Sequence, residues 1–129
     1  MKEVYLLRHG SDGIDNRLDE RGIEQITKTG KEIKGQLGDI GEVTIYHSPT
    51  GRTEHSARVL AETILPIRTR LESREELMYD GIDIVEAEID SIGIIVSHQH
   101  DIKIYLELVG VPYSDCKLRN GEYRKVTVE

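Results

Sequence analysis

The feature that most restricts the fold is a strand ending that recurs. Residues 4–7 (VYLL) stop against Arg8, His9 and Gly10. Residues 43–46 (VTIY) stop against His47 in the stretch HSPTGRT. Residues 92–96 (IGIIV), the most apolar run of the chain, stop against Ser97 and His98 in SHQHD. Short apolar runs rich in β-branched residues are strands, and strands apolar on both faces belong to parallel sheets covered on both sides.

Helical stripes separate the runs. Ile23, Ile26, Gly30, Ile33 and Leu37 recur at helical spacing, with Asp19 placed to cap the start and Gly38 the end. Gly30 on that stripe predicts close packing against a neighbour. Ser48 is placed to cap a second helix with Pro49 in its first turn, running through Ala57, Leu60, Ala61 and Ile64. Residues 67–71 read as an edge strand. Met78, Ile82, Val85 and Ile89 form a weaker stripe interrupted at Asp80 and Gly81, and Asp101 is placed to cap a last helix through Ile102, Tyr105, Leu106 and Val109. Near the end, Asn120-Gly121 between strand-like runs signals a hairpin. The alternation predicts one three-layer α/β domain over residues 1–129, with a mostly parallel sheet, helices on both faces and an antiparallel C-terminal edge hairpin.

Composition narrows the function classes. The chain has 129 residues and a formal net charge of −7, which argues against a general nucleic-acid binder, since that needs a basic face. Cys116 is the only cysteine, so no internal disulfide forms and a reducing cytoplasm is expected. The apolar run after Lys2 is too short for a signal-peptide core and Arg8 interrupts it; no stretch reaches membrane-spanning length. Neither nucleic acid nor membrane is an expected partner.

In an open parallel sheet the strand ends meet at one edge, where ligand crevices form. That brings Arg8, His9, Arg52 and His98 together. Two guanidiniums match phosphate oxygens and keep their charge. Arg52 lies in the first turn of its predicted helix, where free N–H groups also favour an anion. One imidazole is then free to act as a nucleophile on phosphorus and the other to donate a hydrogen bond to the transferred group. Gly10 permits close backbone approach. With the positive charge already supplied, neither metal nor other cofactor is expected. A metal site built from His98, His100 and His9 would set a cation against two arginines, and the TGKE at residues 29–32 lacks the glycine and hydroxyl of a nucleotide loop.

LRHG after the first strand, LDERG opening the next helix, HSPTGRT and VSH, spread in order from Leu7 to about Val109, resemble the histidine phosphatase superfamily, also called phosphoglycerate mutase-like. The short length and the VSHQHD ending most resemble its SixA-like phosphohistidine phosphatase branch. The resemblance implies that His9 is transiently phosphorylated, and that Arg8, Arg52 and His98 complete the phosphate pocket. Gly10, Ser11 and Arg17 are candidate substrate contacts. Many relatives carry an acidic residue directly after RHG, where this chain has Ser11 and then Asp12. Relatives acting on alcohol phosphates place a proton-donating carboxylate in the middle region; here Glu72, Glu75, Glu76 and Asp80 are candidates, none marked out by its surroundings. The expected partner is a phosphorylated small molecule or a phosphohistidine protein. Rival expectations are a mutase or small-molecule phosphomonoesterase, and a phosphate- or phosphoprotein-binding module without turnover.

Overall fold

The computed structural model describes all of Met1–Glu129. Five strands alternate with helices: β1 (Lys2–Arg8), α1 (Glu20–Leu37), β2 (Glu42–His47), α2 (Gly51–Thr63), β3 (Arg68–Ser73), α3 (Ile82–Glu86), β4 (Ile92–Ser97), α4 (Gln99–Leu108) and β5 (Tyr123–Val128), with short 3-10 turns at Glu75–Met78 and Tyr113–Asp115. The strand order is β3-β2-β4-β1-β5. β1, β2, β3 and β4 run parallel to one another, and β5 pairs antiparallel with β1.

The sheet divides two cores. Tyr5, Leu7, Ile94 and Val96 pack against α1 and α2 on one face, while Val4, Leu6 and Ile95 pack against α3 and α4 on the other. The alternation along β1 and β4 is thus the two-residue period of a strand buried on both sides. Neighbouring strands β1 and β4 hand the chain to helices on opposite faces. That reversal opens a crevice at their C-terminal ends. None of the helices is long and apolar enough to cross a membrane.

Several local expectations shift. α1 is capped as expected, the Asp19 carboxylate accepting the Gly22 N–H at 2.8 Å, and Gly30 faces the Thr63 side chain of α2. Ile23, however, is 39% exposed, and the buried stripe runs through Ile26, Thr29, Gly30, Ile33 and Leu37. α2 begins at Gly51 with Thr50 as its cap, not at Pro49 behind Ser48. The Ser48 hydroxyl is engaged with His98 and Thr53, leaving the Thr50 hydroxyl to take the Thr53 N–H. α4 starts at Gln99, so Asp101 lies inside its first turn instead of capping it. Leu77, not Met78, is the buried residue of the 3-10 turn, and Asp80 adopts a left-handed φ of 62° that ends the stripe. The antiparallel C-terminal edge is a single strand: the turn at Asn120-Gly121 delivers β5 onto the free side of β1, where the Gly121 N–H meets the Arg8 and His9 carbonyls.

One contact fixes the loop that follows β1. A Cβ on Gly22 would overlap the Ser11 carbonyl oxygen, and one on Gly10 would lie 2.7 Å from the Gly22 carbonyl oxygen. Backbone therefore crosses backbone where the His9 loop meets α1. Gly22→Ala is expected to destabilise the fold by about 2–3 kcal/mol, as overpacking against a rigid neighbour does. Thermal denaturation measures it; an unchanged midpoint would mean the crossing is looser than described.

Candidate active site

Register alone assembles the site. Arg8 is paired with Ser97 across β1 and β4, and His47 with Val96 across β2 and β4. The next residues, His9, Ser48 and His98, therefore leave the sheet together. The His9 N–H donates to the Ser97 carbonyl at 3.2 Å and the Ser48 N–H to the Val96 carbonyl at 3.4 Å, so the strand ends stay tied one residue past the ladder.

The His9 and His98 rings sit edge to face, 5.5 Å between centroids with 66° between planes. Nδ1 of His9 lies 2.8 Å from the Gly10 carbonyl oxygen, which can only accept, so Nδ1 carries the proton and Nε2 of the neutral ring presents a lone pair. His98 Nε2 shares a hydrogen bond with Ser48 Oγ at 2.9 Å, and Ser48 Oγ shares another with Thr53 Oγ1 at 2.8 Å. The Gly10 N–H donates to Ser56 Oγ of α2 at 3.1 Å. The His98 ring is thereby held from another strand end, while the His9 ring is fixed within its own loop, which Ser56 ties to α2.

The two arginines are half-buried and form no ion pair. Arg8 Nη1 donates to the Leu118 carbonyl at 2.8 Å, and Arg52 Nη1 to Asn16 Oδ1 at 3.0 Å; the Nε of each is buried with no hydrogen-bond partner. Burial lowers the His98 pKa to about 4, helped by His9, Arg52 and Arg8. Burial also lowers that of His9, and Arg52 and Arg8 push the same way against the Gly10 hydrogen bond and Asp12. Both imidazoles are therefore neutral at pH 7. In an NMR titration His98 is expected to protonate near pH 4 and His9 below an ordinary imidazole. Since the unfolded chain takes these protons near pH 6.5, the neutral rings contribute stability that is full above that pH and is lost as pH falls toward 4. A midpoint at or above 6.5 for either ring would contradict this environment.

The other sequence candidates scatter. Gly10 is at the centre, though the close approach it permits is to the backbone of Gly22. Ser11 anchors the loop: its hydroxyl donates to Asp19 at 2.9 Å and its N–H to Gln25 Oε1 at 2.9 Å. Arg17 is exposed, beside His55. Glu72 and Glu76 are gripped by Arg74 at 3.1 and 2.7 Å, with Glu88 on the same guanidinium at 2.7 Å. Arg74 draws the Glu76 pKa down to about 2, which leaves it ionised and without a proton to give. Glu75 is exposed, and Asp80 lies 3.8 Å from the exposed His100. None of the four hydrogen-bonds to His9, His98, Arg8 or Arg52. No cluster of three or more His, Cys, Asp or Glu side chains is placed to hold a metal ion.

No protein-family model and no curated protein matches the sequence. Solved structures do match. A phosphoglycerate mutase from Bacillus anthracis superposes with a TM-score of 0.75 at 17% identity, over 96% of this chain and 86% of that one. A protein assigned as the phosphohistidine phosphatase SixA from Agrobacterium tumefaciens does so at 0.62 and 18%, over 85% and 77%. A mycobacterial glucosyl-3-phosphoglycerate phosphatase does so at 0.67 and 15%, over 98% and 90%. The chain has the phosphoglycerate mutase-like fold.

Within that fold, sequence reasoning missed Ser48, Asn16, Ser56 and Asp101. Ser48 and Ser56 look like helix residues, and only the pairing of distant strands shows what they hold. Asn16 has a left-handed φ of 61°, a conformation that asparagine tolerates, and its side chain reaches Arg52. Asp101 is buried, accepts a hydrogen bond from Ser97 Oγ at 3.1 Å, and has its pKa raised to about 6 by burial and by Asp80.

Proposed function

We propose that the protein is a phosphatase of the histidine phosphatase superfamily that works through a phosphohistidine at His9. The observation that carries this reading is the pairing of a nucleophilic Nε2 on His9 with a second neutral imidazole 5.5 Å away, between two arginines that no carboxylate neutralises. The His9 Nε2 lone pair attacks phosphorus in line, the bond to the leaving group breaks, and that group departs with the electron pair. Water then attacks the phosphohistidine, releasing inorganic phosphate and restoring neutral His9. Arg8 and Arg52 stabilise the equatorial oxygens through both steps. A Ser48 hydroxyl donating to His98 Nε2 leaves the proton of neutral His98 on Nδ1, available to a phosphoryl oxygen.

Activated phosphates are the proposed substrates, with phosphohistidine on a partner protein foremost. Between Ser73 and Ile92 lie only a 3-10 turn and the five-residue α3, too little to enclose a small sugar or acid. The likeness to proteins assigned as SixA supports the same choice. Open access by water favours hydrolysis over return of the phosphoryl group to a second hydroxyl, as a mutase requires.

The guanidiniums supply the charge a cation otherwise would. Activity on an aryl phosphate is expected to persist in excess chelator and to fall with vanadate, which adopts the trigonal bipyramidal geometry of the transferring phosphoryl. Loss in chelator with recovery on adding zinc or manganese would overturn the metal-free mechanism. Tight phosphate binding without turnover of any phosphocompound would leave a phosphate-binding module as the better reading.

A further inference from the structure

Against Arg8 and Ser11, on either side of the His9-Gly10 pair, a cavity of about 480 Å³ opens between the start of α1 and the turn before β5. Arg8, Arg21, Gln25, Arg119, Asn120 and Glu122 line it, and no apolar side chain does. Both walls are tied to the His9 loop: Gln25 accepts the Ser11 N–H at 2.9 Å, and the Gly121 N–H meets the Arg8 and His9 carbonyls at 3.1 and 3.0 Å. The cavity is therefore built at a fixed offset from His9.

Its lining gathers three arginines against one glutamate in a chain of net charge −7. Arg58, Arg70 and Arg74 are all paired with glutamates, Arg74 with three. Arg8, Arg21 and Arg119 have no carboxylate within 4.0 Å. The nearby acids are engaged otherwise: Asp19 takes the Ser11 hydroxyl and the Gly22 N–H, and Glu122 takes the Arg119 N–H at 2.5 Å. With Arg52, this collects four unpaired guanidiniums at one sheet edge, where they repel one another until anions bind.

We propose that Arg21 and Arg119, with Arg8 shared between the two sites, form a second anion subsite that takes a carboxylate or phosphate carried by the same substrate as the phosphoryl group bound at His9. The proposal rests on the phosphatase reading for the identity of the first anion. An all-polar cavity of this size offers nothing to an apolar body, while two exposed guanidiniums beside a fixed one match an anion held at a set distance. The substrate class is thus a phosphorylated group flanked by a second acid, either an acidic side chain of a phosphopeptide or the acid of a small phosphate.

Calorimetric titration with methylphosphonate and with phosphonocarboxylates of increasing chain length tests the subsite without turnover. At least one chain length is expected to bind about tenfold more tightly than methylphosphonate. That advantage should vanish in the Arg21→Gln/Arg119→Gln double variant, with methylphosphonate affinity unchanged. No advantage at any length, or one that survives the double variant, overturns the proposal. Phosphohistidine peptides with aspartates or asparagines beside the phosphorylated residue then locate the anion. An arginine-dependent preference for the acidic peptide places it on a protein; a preference confined to phosphonocarboxylates places it on a small acid. If the protein hydrolyses no phosphocompound yet keeps the arginine-dependent advantage, the phosphatase reading fails and the subsite stands.

Discussion

A His9→Ala variant is expected to lose turnover of an aryl phosphate by about four orders of magnitude or more, because a covalent path loses its nucleophile entirely. The wild-type protein, quenched during turnover, should carry phosphate that is labile in acid and stable in base, the signature of a phosphorylated imidazole. In His9→Ala that label should be absent. The substitution tests chemistry more than folding, since the His9 ring makes one hydrogen bond, to the carbonyl of the adjacent Gly10. His9→Asn, polar and of similar bulk, is a second variant with the same expected loss. Thermal denaturation of both separates lost chemistry from lost structure. Label that survives either substitution would move the nucleophile elsewhere, with His98 the nearest imidazole.

The order in which this site became legible follows the range of the interactions involved. Strand endings were readable because each is a local change of residue type, from buried aliphatic to imidazole or guanidinium within two positions. Parallel topology then forced Arg8, His9 and His98 to one edge without any side-chain detail. The supporting contacts were not readable. Ser48 and His98 are 50 residues apart, Gly10 and Ser56 46 apart, and Arg52 and Asn16 36 apart. Ser48 and Thr50 present hydroxyls with equal claims to cap α2, and the choice is made by His98, which takes the first and leaves the second. The carboxylates of the middle region behave similarly. Their sequence gives four interchangeable acids, but Arg74 gathers Glu72, Glu76 and the distant Glu88 into one ion-pair cluster. The Asn120-Gly121 turn was legible, whereas its strand partner was not, because β1 offers an unpaired edge that no local pattern announces.

The fate of those acids decides the leaving group. An alkoxide departing from a sugar or serine phosphate is a strong base and needs a proton as the bond breaks; a positioned acid contributes a factor of about 10²–10⁴. Imidazole leaving from phosphohistidine and phenolate leaving from an aryl phosphate are far weaker bases and depart without that help. Here Glu76 is held ionised by Arg74, Glu72 shares the same guanidinium, and Glu75 and Asp80 are exposed. Asp101 does hold its proton to about pH 6, yet it faces Ser97 and Asp80 and makes no hydrogen bond to His9 or His98. Turnover of a phosphohistidine peptide or an aryl phosphate is therefore expected to exceed that of sugar phosphates by about 10²–10⁴ in kcat/KM under one condition. Glutamine or asparagine at Glu72, Glu75, Glu76, Asp80 or Asp101 should leave the aryl phosphate rate within about threefold, since none of them is asked to move a proton for that substrate. A sugar phosphate that wins the comparison, with one of these carboxyls essential for it, would reveal an acid brought to the leaving oxygen only when substrate binds. The protein would then be a small-molecule phosphomonoesterase, and the second anion beside Arg21 and Arg119 would belong to that small molecule.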